Sequence, residues 1–275
     1  MRKSTLAIIV TACCASTASA VTLFSDNFEG AVATPDSWAT QEANPGSRTD
    51  NDPANTIGAG DAAVVGQWFH YYKSSTPIHD IAVTSNASPG AYAGNNYLRI
   101  HRSGNDCGIG AVFSNWDAPL TTGVVTTTWR QYVPDGGGWA GGIWLVEHLD
   151  NDHSVGVTDS KSSFYFRQDG GIRVTTDEGG TVNFIPSPTI TRNQWQEWTM
   201  VSNLDTKTYT ISLDGVTSAP QAFNTLTGGV TGLAFTGQPG VDYYVDNLVI
   251  DHTPVPEPAL ASLVLLAGGL LLRRR

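Results

Sequence analysis

The sequence predicts an all-β protein, a single antiparallel β-sandwich, with a signal helix ahead of it and a short transmembrane helix behind. The body is rich in Gly, Thr, Val, Asn, Asp and aromatic residues and poor in Lys, Leu and Glu, the composition of strands and tight turns. No long stretch repeats apolar residues at the helical period; short apolar runs instead alternate with Gly, Asn and Asp clusters. Without its two ends the chain leaves about 235 residues, too few for two ordinary α/β domains and comfortable for one large sandwich.

Taken in order, runs with strand composition cover 21–29, 62–72, 80–84, 96–102, 111–115, 124–133, 142–149, 164–168, 172–176, 182–185, 196–203, 208–213, 232–236 and 243–250. Asp169-Gly170-Gly171 and Glu178-Gly179-Gly180 read as hairpin turns that need positive φ, and 203–207 as a longer hairpin loop. Residues 30–60, dense in Pro, Asn, Asp and Gly, read as a long surface excursion. No internal repeat is evident.

The two ends differ from the body. Arg2 and Lys3 precede the apolar run 6–10, and Ala18-Ser19-Ala20 offers a small-residue cleavage site after Ala20, the layout of an export signal. Val10-Thr11-Ala12-Cys13 has lipobox character and keeps a lipoprotein reading open. At the other end, Val255-Pro256-Glu257-Pro258 leads into the apolar run 259–272 and then Arg273, Arg274 and Arg275. As a helix that run reaches roughly 21 Å against about 30 Å of hydrocarbon, a short span, with the arginines favouring the cytoplasmic side. The alternative is a greasy helix docked on the body. The pattern resembles the PEP-CTERM sorting signal of Gram-negative bacterial envelope proteins, which pairs with an N-terminal signal peptide. The resemblance implies export, transient tethering in the inner membrane, processing by an exosortase-type enzyme, and release to the cell surface or extracellular matrix. It divides the chain into a signal peptide (1–20), a sandwich domain (21–253) and a sorting and anchor segment (254–275).

Between these ends lie 10 basic and 24 acidic residues, a net charge of −14, which argues against nucleic acid as a partner. The same acidity suits either solubility outside the cell or calcium, whose ligands are carboxylates and carbonyls. Cys13 and Cys14 fall in the signal, so Cys107 stands alone and the body has no internal disulfide; a buried, inert thiol is the simpler reading.

Two further resemblances concern the body. Trp195-Gln196-Glu197-Trp198, with 205–215, is similar to the penultimate hairpin of concanavalin A-like, or laminin G-like, jelly rolls. Phe24-Ser25-Asp26-Asn27-Phe28-Glu29 and Tyr244-Val245-Asp246-Asn247-Leu248 resemble the two terminal strands of jelly-roll carbohydrate-binding modules. A jelly-roll connectivity is therefore expected. Strand alternation puts Asp246 on one face with Tyr244, Leu248 and Ile250, where an unpaired carboxylate is costly and calls for a cation. The carbohydrate-binding-module resemblance implies a structural calcium held by Glu29 and Asp246, completed by Asp26 or backbone carbonyls. An Arg partner or an exposed strand end is the alternative.

A second constellation is a face. Tyr97, Arg99 and His101 alternate with Leu98 and Ile100; Trp129 and Gln131, Trp144 and His148, and Tyr165 and Arg167 alternate in the same way on their own strands. Converging, they would form a groove in which rings cover the apolar faces of a sugar and polar forks bond its hydroxyls or carboxylates. The alternative places the tryptophans in the core. No catalytic residue is assigned: Glu147 lacks the same-face acid partner a retaining glycosidase needs. Tyr, His, Arg and Gln on the candidate face keep a β-eliminating polysaccharide lyase open. Asp150-Asn151-Asp152-His153 reads as an acidic turn. The sequence thus points to a non-catalytic glycan-binding envelope or matrix protein, whose partner is a polysaccharide or exopolysaccharide matrix, with a lyase and a purely structural surface protein as alternatives.

Overall fold

The computed structural model describes residues 19–29, 66, 68–72, 81–84, 89–100, 107–114, 118–136, 138–147, 160–175, 182–223, 228–237 and 241–255. Leader residues 1–18, the sorting segment from Pro256 onward, the 30–60 excursion, the 178–180 turn and the 150–153 cluster lie outside them.

Sixteen strands run in chain order: β1 (Val21–Asp26), β2 (Trp68–Tyr72), β3 (Ile81–Thr84), β4 (Tyr97–Ile100), β5 (Cys107–Val112), β6 (Val124–Tyr132), β7 (Trp139–Val146), β8 (Ser160–Arg167), β9 (Ile172–Thr175), β10 (Val182–Ile185), β11 (Trp195–Asn203), β12 (Thr208–Leu213), β13 (Val216–Thr217), β14 (Gln221–Ala222), β15 (Gly232–Gly237) and β16 (Tyr243–Thr253). They form two antiparallel sheets. The first has nine strands, in the order β13-β12-β11-β6-β16-β4-β3, with β1 also on β16 and β14 on β12. The second has seven, in the order β10-β9-β8-β7-β15-β5-β2. The expected all-β sandwich is what forms, and no helix occurs among the described residues.

The core lies where the two inner faces meet. β6 and β11 alternate strictly between buried and half-buried positions along their nine residues, so each buries every second side chain. Their pairing puts Trp129 directly opposite Trp198. The two indoles stack with ring centres 5.8 Å apart, and Phe164 from the second sheet stacks on Trp198 at 5.7 Å. Fully burying an aliphatic or aromatic side chain of this class contributes about 1.5–3 kcal/mol. At one end of the sandwich Asp26 of β1 accepts a 2.7 Å bond from the Trp68 indole N–H of β2, joining the sheets, and Phe24 packs edge-on against the same indole.

Several expectations shift. β5 begins at Cys107 and β7 at Trp139, four and three residues earlier than expected, because Gly108, Gly110, Gly141 and Gly142 sit inside ladders instead of marking turns. β13 and β14, two residues each, were too short to show a pattern. The turn at Asp169-Gly170-Gly171 forms as expected, with Gly170 at φ 98°. The loop after β11 is built by Asn203, whose side-chain oxygen accepts from the Asp205 and Thr206 amides.

One correction bears on the site. Asp246 does not share a face with Leu248 and Ile250. The ladder between β16 and β6 slips between Asp246 and Val249, with Asn247 at φ 50°, a one-residue bulge that reverses the parity of the strand. Asp246 therefore lies on the outer side with Tyr244, while Leu248 and Ile250 point into the core.

Candidate functional site

The side chains expected to share one groove are split among three places. Trp129 and Gln131 are in the core, 0% and 1% exposed, with the Trp129 indole N–H donating to Gln131 Oε1 at 2.8 Å. They line no surface; the outward row of β6 is Thr126, Thr128, Arg130 and Tyr132, the opposite parity. Tyr97 and Arg99 lie on the outer face of the first sheet. Trp144, Tyr165 and Arg167 lie on the outer face of the second, alternating with core Ile143, Phe164 and Phe166. His101 and His148 lie outside the described residues.

On the first sheet the rings of Tyr97, Tyr132, Trp195 and Tyr244 meet edge-on, 5.4–6.0 Å between centres. Tyr92 joins through Trp195 and carries the Arg130 guanidinium over its ring at 4.4 Å. Arg130 pairs with Glu197, and Arg99 makes a two-pronged contact with Asp242 at 3.2 Å. Burial, followed by the charge of Asp242, pushes the Tyr244 phenol up to about 12. The cations of this patch are matched by anions.

Beside it, residues 90–96 are held by two carboxylates. Asp246, wholly buried, accepts from the Tyr92 and Ala93 amides at 2.9 and 3.1 Å and from its neighbour Asn247 at 2.8 Å. Glu29 Oε1 accepts from the Asn95 and Asn96 amides at 2.7 and 2.6 Å. Gly94 is required between them: it sits at φ 70°, and a Cβ there would fall 2.5 Å from the Glu29 carboxyl carbon. Burial raises the pKa of Asp246, the three amides counter it, and the nearby Glu29 adds to the rise. The amide bonds from Asn96 and Asn95 lower the pKa of Glu29.

Asp26 does not join them. Its two oxygens are taken by the Trp68 indole and the Phe28 amide, and among the described residues no three His, Cys, Asp or Glu side chains come together as a metal site. Asp26 thus has partners of its own, and the burial of Asp246 is met in part by three amide N–H groups. Glu29 and Asp246 are the pair whose charges combine.

The second sheet's outer face is different in kind. Trp139, at the start of β7, stacks against Phe184 of β10 with centres 6.3 Å apart, and Phe184 is 62% exposed. The Arg173 guanidinium lies 4.1 Å from the Trp139 ring centre and 5.2 Å from that of Tyr165; Arg167 lies 4.9 Å from Trp139 and pairs with Asp169 at 2.7 Å. Trp144 meets Tyr165 edge-on at 5.7 Å. Tyr165, Arg173 and Phe184 form one cross-strand row, Tyr165 opposite Arg173 and Arg173 opposite Phe184. The sequence reading missed Trp139, Arg173 and Phe184. The alternation of Arg173 with Ile172 and Val174 was a usable signal, whereas the ladder bulge next to Trp139 hid its side.

No protein-family model and no curated protein matches the chain. Solved structures resemble its fold. A sialidase aligns at 9% identity and TM-score 0.46 over 64% of this chain and 17% of its own, so the chain spans under a fifth of that protein. The globular domain of calreticulin from T. cruzi aligns at 14% identity and TM-score 0.46, over 74% of this chain and 93% of its own. A protein of unknown function with a galectin-like fold from Bacillus subtilis aligns at 7% and TM-score 0.44, over 69% and 90%.

Proposed function

We propose that the body is a glycan-binding module of an exported envelope or matrix protein, and that it holds sugar on the outer face of the second sheet. The observation that supports this reading best is the stacked Trp139–Phe184 pair, open to solvent and bordered by Arg167 and Arg173. Rings of this kind cover the apolar C–H face of a pyranose while guanidinium forks bond its polar edge. The test is binding of a 21–253 body to a panel of immobilised glycans. Trp139→Ala and Phe184→Ala should each weaken binding roughly tenfold, which corresponds to about 1.4 kcal/mol. Tyr92→Ala, on the opposite sheet, should leave it unchanged. Equal binding by all three variants and the parent removes the site.

Export and sorting belong to the same proposal. The leader to Ala20 directs the chain out, and Val255-Pro256-Glu257-Pro258 with the terminal arginines hands it to an exosortase-type enzyme at the inner membrane. A structural calcium at the Glu29–Asp246 pair is proposed as well: two neighbouring carboxylates, one of them wholly buried, supply hard oxygens, and among the described residues no cationic side chain offsets their charge at Asp246. Calcium should raise the melting temperature of the body and EDTA should reverse it; Glu29→Gln should abolish the response, and magnesium should substitute poorly. A melt indifferent to both calcium and EDTA removes the ion.

A further inference from the structure

We infer that the glycan is acidic, and that Arg173 receives a sugar carboxylate in the slot between Trp139 and Tyr165; this rests on the glycan reading above and adds the chemical class of the ligand. Among the described arginines, Arg99, Arg130, Arg167 and Arg192 each pair with a carboxylate, Asp242, Glu197, Asp169 and Asp135 respectively. Arg173 has no such partner among the described residues. Its guanidinium lies close to both rings, and its Nε is buried with no hydrogen-bond acceptor. In a body of net charge −14, where carboxylates outnumber cations by more than two to one, a half-buried guanidinium without an anion stands out. The two rings hold the guanidinium in place, and its N–H edge is the recognition element, a donor pattern that matches the two oxygens of a carboxylate.

A second unused donor lies against the same ring. The Trp144 indole N–H is buried without an acceptor, and Trp144 packs edge-on against Tyr165. Gly142 makes the close approach available: a Cβ there would sit 3.2 Å from Trp144 Nε1 and 2.9 Å from the Tyr165 ring. Two donors without acceptors, one charged and one neutral, thus flank a single aromatic ring. A uronate residue supplies the anion that the Arg173 fork lacks. The net negative charge of the body disfavours indiscriminate polyanion binding, so recognition falls to this local geometry.

The experiment compares three probe sets on the folded body: oligomers of galacturonate, glucuronate and mannuronate, the methyl esters of the same oligomers, and their neutral counterparts. The parent should bind at least one acid at least about tenfold more tightly than its ester. Arg173→Gln should erase that preference by weakening binding of the acid far more than that of the ester, and Arg173→Lys, which keeps the charge but loses the fork, should restore only part of it. Unchanged melting of both variants shows that the slot survives. Equal affinity of the parent for acid and ester, or a preference that persists in Arg173→Gln, overturns the inference and leaves the glycan reading standing. Failure of the parent to bind any of the three probe sets overturns the inference, and the glycan reading falls with it only when the wider panel is also negative.

Discussion

Replacing Trp129 with alanine should cost the folded body about 3–5 kcal/mol, the range for removing a fully buried large aromatic. The indole is 0% exposed and stacks on Trp198 and Phe164, with Phe235 meeting it edge-on at 6.2 Å. Its loss opens a cavity at the centre of the sandwich and strips Gln131 Oε1 of its donor, beside a Gln131 Nε2 that already lacks an acceptor. A denaturant titration at fixed m-value measures the cost. Trp195→Ala, which removes an equal ring from the outer row of the neighbouring strand, should cost well under half as much, because water already reaches one side of that residue. Equal losses at the two positions are incompatible with Trp129 lying in the core.

Asp246→Ala should be the next most damaging change, at about 2–4 kcal/mol. It leaves the amides of Tyr92, Ala93 and Asn247 without their acceptor, each at about 1–3 kcal/mol, less what the loop recovers by moving out to water. Early proteolytic cleavage within 90–96 should accompany the lower melt. The cost also depends on pH, with a defined sign. Burial raises the folded pKa of Asp246 above the ordinary aspartate range, so the folded state takes up the proton first as pH falls. The residue's contribution then shifts toward the folded state, and the difference between parent and variant should be larger near about pH 4 than near about pH 7. Glu29 runs the other way. Its folded pKa is lowered from 4.5, so its contribution is present above that value and is lost as pH falls through the folded pKa. As pH falls, the gap between the parent and Asp246→Ala should therefore widen, and the gap between the parent and Glu29→Gln should narrow.

Much of the strand layout was legible because burial alternates along a strand, and runs such as 124–133, 196–203 and 208–213 carry that alternation on their surface. What alternation alone leaves open is which of the two parities faces inward. On β6 both rows hold an aromatic, Trp129 in one and Tyr132 in the other, and only the pairing of Trp129 with Trp198 across the ladder decides between them. On β16 the bulge at Asn247 inverts parity within the strand, and nothing in Val-Asp-Asn-Leu announces it. Asp246 was identifiable as a residue in need of partners, yet its partners are backbone amides of a segment more than 150 positions earlier, and main-chain groups leave no trace in composition. The site on the second sheet was half visible for the same reason: Trp144, Tyr165 and Arg167 belong to it, but Arg173 and Phe184 come from strands whose adjacency is set by the fold.

The position of β16 has a consequence for how the chain reaches its native state. The last strand is not at an edge. It is flanked along its length by β6 on one side and on the other by β4 and then β1, so Val21 finds its partner only at His252. A polypeptide threaded through a membrane pore with its N-terminus leading exposes β1, β4 and β6 long before the strand that joins them. The nine-stranded sheet cannot close until residue 253 has emerged, and such high sequence separation makes for slow assembly. Under the export proposed above, the first sheet therefore stays open at its centre until nearly all of the chain has crossed, and β16 is the strand that closes it.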